Sequence, residues 1–310
     1  MLQDRIRETV LFFDLQGIPL TAFEIYKYLL ADSDSLRSKL DQSYELQNLG
    51  EPVSSVGIDT VLFTLDDLVE KRYLERRVGF YCLPGKTHTI TTRLQYSSNE
   101  LHRERRIRRV AKYLRLLPFI RTVAVNGSQS LGQARASSDI DLFIITDKRF
   151  MWTARTFVTA FFQLLMMRRH GQKIANRFCL NHYVAGQKQI HHGRNLYSAL
   201  EYLKLRPVVF PFATVNFQQQ NLEWISRIFP NAPRVILARS ADQSQPRLQG
   251  GMEKLYELLF GKIFESILAD WQMKRIRQEK YIVVAVDELS FHPQSKAETL
   301  LQQFFQTKTT

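Results

Sequence analysis

Apolar and polar positions follow a helical period at both ends of this chain and a shorter, strand-like period in its middle. Ile6, Val10 and Leu11 recur at helical spacing and predict a first helix, which Gly17-Ile18-Pro19 breaks. Thr21 stands where a cap belongs, ahead of a second helix carrying Phe23, Ile25, Tyr26 and Leu29. A polar, irregular stretch is expected over 32–52, a third helix over 58–71, and a two-stranded hairpin over 73–83 turning at Val78-Gly79. Over 99–117 the spacing of Ile107, Val110, Ala111 and Leu114 predicts an amphipathic helix. Strands are expected over 122–125, 140–145 and 177–184, with a buried helix over 157–167. Helices follow over 196–205, 220–229 and 252–280, and the stripe Leu255, Leu259, Ile263, Ile267 and Trp271 on the last is assigned to core packing. The polar segment 239–251, with Pro246 and Gly250-Gly251, reads as a loop, and the apolar run 281–286 as a candidate strand ending at Asp287.

The order helix, helix, helix, hairpin over residues 1–95 resembles a winged helix-turn-helix. A DNA-reading third helix would offer donors to phosphates and base edges, yet this one carries Asp59, Asp66, Asp67 and Glu70. Positive charge sits instead on the wing, at Lys71, Arg72, Arg76 and Arg77. Two readings stay open for this module: nucleic-acid contact through the wing, and docking of a protein partner.

Charge sharpens the picture. The 310 residues carry a formal net charge of +13, which favours polyanionic partners. Its densest concentration lies on the helix predicted over 99–117, where Arg105, Arg106, Arg108, Arg109 and Lys112 form a cationic face suited to the phosphates of nucleic acid. Asp4, Arg5, Arg7 and Glu8 interrupt the place where an export signal would need its apolar core, so a cytoplasmic protein is expected. The run 157–167 is shorter than the roughly 20 residues that cross a bilayer, so no membrane partner is expected. Cys82 and Cys179 lie far apart, without metal-ligand spacing.

The chemistry is concentrated in residues 119–146. A strand runs into Gly127-Ser128, a short helix and polar loop follow, and a second strand begins beside Asp139 and Asp141. Strand geometry sends residues two apart to the same side, so the two carboxylates form a hard oxygen site suited to Mg2+, which keeps waters and shares substrate phosphates. Gly127 lets backbone approach a ligand closely, and the helix expected to open at Ser128 would turn free N–H groups toward phosphate.

The Gly-Ser pair, a ten-residue gap and Asp-hydrophobic-Asp-hydrophobic on a strand are similar to the signature of the DNA polymerase beta nucleotidyltransferase superfamily. The resemblance covers roughly residues 100–190. It implies that Gly127 and Ser128 grip the triphosphate, with Arg135 and Ser138 beside them, and that Asp139 and Asp141 bind Mg2+ or Mn2+ and drive nucleotidyl transfer from an NTP to a hydroxyl. Members usually add a third carboxylate from a later strand. The matching strand offers Asn181 there, a carbonyl donor that cannot act as a base. Glu201, Asp287 and Glu288 are the other candidates. His182 would face the site if its strand alternates regularly, and Lys148 and Arg155 are nearby candidates for neutralising phosphate.

The expected architecture is α+β: a winged-helix-like module over 1–95, a nucleotidyltransferase core with a mixed sheet flanked by helices over 96–195, and a helical region over 196–310. The expected function is Mg2+-dependent nucleotidyl transfer, with nucleic acid the favoured acceptor. Two alternatives accompany it: a transferase-fold regulator without turnover, and a relative that transfers AMP to a protein side chain.

Overall fold

Thr21 caps a short helix by accepting from the Glu24 amide while Glu24 reaches back to the Thr21 amide, a reciprocal box that fixes the helix start. Around it, in a computed structural model that describes residues 1–40, 44–46, 53–186, 189–191, 193–232, 247–276, 283–284, 288–290 and 294–307, the N-terminal elements assemble. They are α1 (Leu2–Asp14), β1 (Leu20–Thr21), α2 (Ala22–Lys27), α3 (Ser33–Arg37) and α4 (Ile58–Glu70), followed by the hairpin β2 (Glu75–Arg77) and β3 (Phe80–Cys82). The hairpin turns where Val78 and Gly79 both take positive φ, and β1 joins it in a small antiparallel sheet of order β1-β3-β2. The helix α3 interrupts the stretch expected to be irregular.

Next comes α5 (Thr87–Leu114), which begins twelve residues before the helix expected from residue 99 and runs straight across the expected boundary at 95. A six-stranded mixed sheet follows, built from β4 (Ile120–Val125), β5 (Ile140–Thr146), β6 (Phe178–Ala185), β7 (Arg206–Val209), β8 (Val283–Val284) and β9 (Glu288–Ser290) in the order β7-β4-β5-β6-β9-β8. Among the described strands only β5 and β6 pair in parallel, and α6 (Met151–Leu164) lies in their crossover. The region expected to be helical thus completes the sheet from both edges. Asp287, in the short gap between β8 and β9, lies outside the described residues.

Alternation along the central strands divides the core. Val123, Val125, Ile140, Leu142 and Ile144 pack with Ile107, Val110 and Leu114 of α5 and Val158 and Phe162 of α6. Ala124, Phe143, Ile145 and Val184 face the other way, toward α7 (Leu196–Leu203), α8 (Pro211–Gln220) and α9 (Leu222–Ile228). That second core continues without a break into Phe12, Phe13, Ile25 and Leu65 of the N-terminal elements. Two polar ties cross the same junction: the Ala31 amide donates to the Ile228 carbonyl at 2.8 Å, and Asn231 joins Val56 to Tyr26.

Three further helices lie among the described residues: α10 (Arg247–Leu259), α11 (Gly261–Ile276) and α12 (Gln294–Thr307). The single helix expected over 252–280 is therefore two, broken where Gly261 takes a φ of +52°. The stripe assigned to core packing is exposed at Leu255, Leu259, Ile263, Ile267 and Trp271, which corrects that expectation. The end of the expected buried helix is also exposed, at Leu164, Leu165 and Met166. Among the described residues no helix is long and apolar enough to cross a membrane.

Candidate functional site

The site gathers where the end of β4 meets the start of β5. The Asn126 amide donates to the Asp141 carbonyl at 3.0 Å, extending the ladder by one bond and delivering Gly127 to the side of Asp141. Gly127 has a φ of +64°, and a Cβ there would collide with Asp141 Oδ2, so only glycine fits. A single 3-10 turn (Gly127–Leu131) follows, closed by Ser130 Oγ donating to the Gly127 carbonyl at 2.8 Å. Five residues in that conformation carry little macrodipole, so the expected phosphate affinity of a helix start at Ser128 reduces to close backbone approach at Gly127.

Asp139 and Asp141 do come together, and the third member of the group is Cys179 of β6, all three offering ligand atoms within 4.8 Å of one another. The parallel register sets Cys179 opposite Asp141. The next pair is Phe143 with His182, so β6 spends one more residue than β5 and bulges through Leu180 and Asn181. The bulge puts Cys179 and His182 on the sheet side shared by Asp141 and Phe143. His182 does not reach the acids: it is buried against Phe143, with its Nε2 2.7 Å from Glu288 Oε1. Glu288 also accepts from the Tyr202 hydroxyl at 3.2 Å, so this carboxylate serves a buried structural network. Glu201 is buried and ion-paired with Lys204. The side chain of Asn181 lies outside the described residues.

A cation already touches the group. Arg169 Nη1 donates to Asp139 Oδ2 at 2.7 Å and to Cys179 Sγ at 3.6 Å. Burial works against its charge, but Cys179 and Asp139 hold its proton affinity above the ordinary value. The Cys179 thiol is pushed up to about 12, first by burial and then by the charges of Asp141 and Asp139. Tyr197 lies on the same side, its hydroxyl raised well above the usual range by Glu201, by burial and by Asp141.

The loop bearing Asp139 is fixed from below by Arg103, a buried guanidinium on α5. It donates to the carbonyls of Arg135 at 2.6 Å and Ser138 at 2.7 Å, and more weakly to those of Ala136 and Asp139. Arg135 and Ser138 therefore contribute backbone to the loop's anchor, and the Arg135 side chain is exposed. Arg103 was readable in principle: with Ile107, Val110 and Leu114 it sits at offsets of four, seven and eleven, on the apolar stripe of an otherwise cationic helix.

Of the five cations expected to meet phosphate, Arg105, Arg108, Arg109 and Lys112 are exposed on α5, and Arg108 pairs with Glu104 at 2.9 Å. Arg106 turns inward, 5.7 Å from the centre of the Phe178 ring, and lines a cavity with His102, Arg103, Ala136 and Asn176. Burial and the nearby charges of Arg177 and Arg109 lower its proton affinity. Its Nε is buried without a hydrogen-bond partner. Arg155 packs against the Tyr183 ring and bonds Gln272, a structural role.

Sequence reasoning missed Cys179, Arg169 and Tyr197. Nothing local marks them, because strand register and a crossover loop bring them to the acids. A donor set of two carboxylates fits a hard divalent ion that takes its remaining ligands from water and phosphate. The thiol is a soft ligand and does not complete such a set. No protein-family model, curated protein or solved structure matches the chain.

Proposed function

We propose that the chain is a nucleotide-binding protein that transfers a nucleoside monophosphate from an NTP to a hydroxyl, with Mg2+ held by Asp139 and Asp141. The observation that carries this reading is the seating of the Gly127 turn directly on the Asp141 carboxylate, close enough to exclude any side chain. A polyphosphate lying on that turn would share its oxygens with an ion on the two acids. Further support comes from Asn126 Oδ1 and Gln129 Nε2, buried beside Gly127 without hydrogen-bond partners, as polar groups awaiting a polar ligand are.

The ion would supply charge neutralisation for the transferring phosphoryl group. The chain's own contribution is positioning: the turn sets the triphosphate, Arg103 holds the Asp139 loop, and Arg169 releases Asp139 as the nucleotide arrives. Arg106 and Arg177 offer positive charge to an acceptor's phosphates, which favours nucleic acid. In this reading the small three-helix and hairpin module is winged-helix-like, and it keeps a DNA or protein partner near the site.

A second reading, a nucleotide-binding regulator without turnover, is favoured by one observation: the third group beside Asp139 and Asp141 is the Cys179 thiol and not a hard oxygen ligand. Incubation with labelled NTPs, Mg2+ or Mn2+ and RNA, DNA or protein acceptors separates the two. Transfer that disappears in Asp139→Asn with Asp141→Asn supports the enzyme, and label on protein alone identifies AMP transfer to side chains. Nucleotide binding with no transfer to any acceptor supports the regulator. Absence of nucleotide binding rejects both.

A further inference from the structure

The consecutive helices α10 and α11, separated by Phe260 alone, are turned inside out. Helices of soluble proteins bury their apolar stripe and expose their polar face. Here the polar side chains point inward. Glu253 accepts from the Phe119 amide at 2.6 Å and from Arg121 at 2.8 Å, and Gln249, fully buried, donates to the carbonyls of Leu117 and Ile120. Glu265 accepts from the amides of Trp152 and Thr153 at the start of α6, and Gln272 donates to the Trp152 carbonyl and Thr156 hydroxyl. With their polar side consumed by these contacts, the two helices present Met252, Leu255, Leu258, Leu259, Phe260, Ile263, Phe264, Ile267 and Trp271 to solvent, Leu258 being 82% exposed and Ile263 79%. The ring contact of Phe260 with Phe264, at 5.3 Å, joins the two rows across the break.

We infer that this face is the interface of a homodimer, the α10–α11 face of one copy packing against that of another about a two-fold axis. Area is the first argument. Counting about 200 Å² for a large side chain fully exposed, the nine residues leave on the order of 1,000 Å² open, against about 800 Å² per partner in a specific stable interface. Single exposed apolar residues are ordinary, but a patch of this size marks an interaction site.

Charge selects the occupant. Residues 247–276 carry Arg247, Lys254, Lys262, Lys274 and Arg275 against Glu253, Glu257, Glu265 and Asp270, a net +1 in a chain of net charge +13. A nucleic acid or an anionic bilayer would call for a dense row of cations; with Glu253 and Glu265 turned inward, the exposed side shows Lys254, Lys274 and Arg275 against Glu257 and Asp270. Two copies of a strongly basic chain repel each other everywhere else, and this face lets them meet with little cost. An isologous contact uses the same apolar surface twice, which fits an interface more apolar than the rest of the molecule.

The test is the mass of the full chain in solution by light scattering on a sizing column, from dilute to concentrated samples. The expected result is twice the 36.3 kDa chain mass, falling to one chain in Leu258→Glu with Ile263→Glu. Both side chains project into solvent in the single chain, so far-ultraviolet circular dichroism should not change. Should that pair unfold, Leu258→Ser with Ile263→Ser serves in its place. Phe63→Glu, an equally exposed apolar site on α4, should leave the dimer intact. Trp271 emission gives an independent reading and should shift to the red as the dimer dissociates. A single-chain mass at every concentration overturns the inference, as does a dimer indifferent to these substitutions. Co-sedimentation with anionic vesicles by a chain that stays monomeric overturns it in favour of a lipid surface.

Discussion

Gly127 carries the tightest steric condition in the site, since any side chain there meets the Asp141 carboxylate and takes a left-handed backbone as well. Gly127→Ala should therefore lower unfolding free energy by about 1–2 kcal/mol and weaken NTP binding by about tenfold or more, measured by denaturant titration and calorimetry. Unchanged affinity would remove the turn from the proposed phosphate seat. Cys179→Asp asks the converse question, because it places a hard oxygen beside the two acids where Arg169 already offers a counter-charge. If nucleotidyl transfer is the activity, the labelled-NTP assay should show transfer rising by about tenfold or more in this variant. At this scale, the acids and the glycine were legible because they lie within fifteen residues and answer to local strand and turn rules. Cys179 was not, because its place beside Asp141 depends on which residues pair across parallel strands thirty-eight positions apart.

Among the elements, the sheet strands and the N-terminal helices were read close to their true bounds, since burial on one or both faces stamps a period on the sequence. The failures share a cause. Strands β7 and β9 are too short to show a period and are defined by their partners, β4 and β6. The outward stripe of α10 and α11 has the spacing of a core-facing one, and spacing alone does not say whether the core belongs to the same chain. One tie that holds α10 in place is electrostatic: Arg121 bridges Asp147 at 2.9 Å and Glu253 at 2.8 Å. Burial raises the Asp147 carboxyl, but the Arg149 amide and the Arg121 guanidinium outweigh it and leave it below its ordinary value. An acid with a depressed folded-state value contributes stability above its unfolded value, about 3.9, and loses it as pH falls further through the folded one. Thermal melts should therefore show stability dropping below about pH 4, and Asp147→Asn should flatten that decline. An unaltered slope would place the acid sensitivity elsewhere.

For the whole molecule, the charge of +13 is spread unevenly, dense along α5 and the loop before β6 and nearly balanced over α10 and α11. If nucleic acid docks beside Arg106 and Arg177, log affinity should fall linearly with log salt. Arg106→Gln with Arg177→Gln should reduce that slope by about 2, one unit for each lost phosphate contact. A slope unaffected by both substitutions would move the docking surface to the exposed row of Arg105, Arg108, Arg109 and Lys112. The expected division into modules at 95 and 195 was drawn from changes in residue pattern. Among the described residues, apolar side chains of α1, α4, α9 and α12 belong to one buried cluster.

The meeting of Phe12 with Phe304, ring centres 5.4 Å apart, ties the first helix to the last. A ribosome adding about 5–20 residues per second needs roughly 15–60 seconds to make the second ring after the first. Through that interval α1 has emerged with part of its apolar face uncovered. The amino-terminal segment is then a natural client for chaperones during translation, and a message truncated before α12 would yield a product marked for proteolysis.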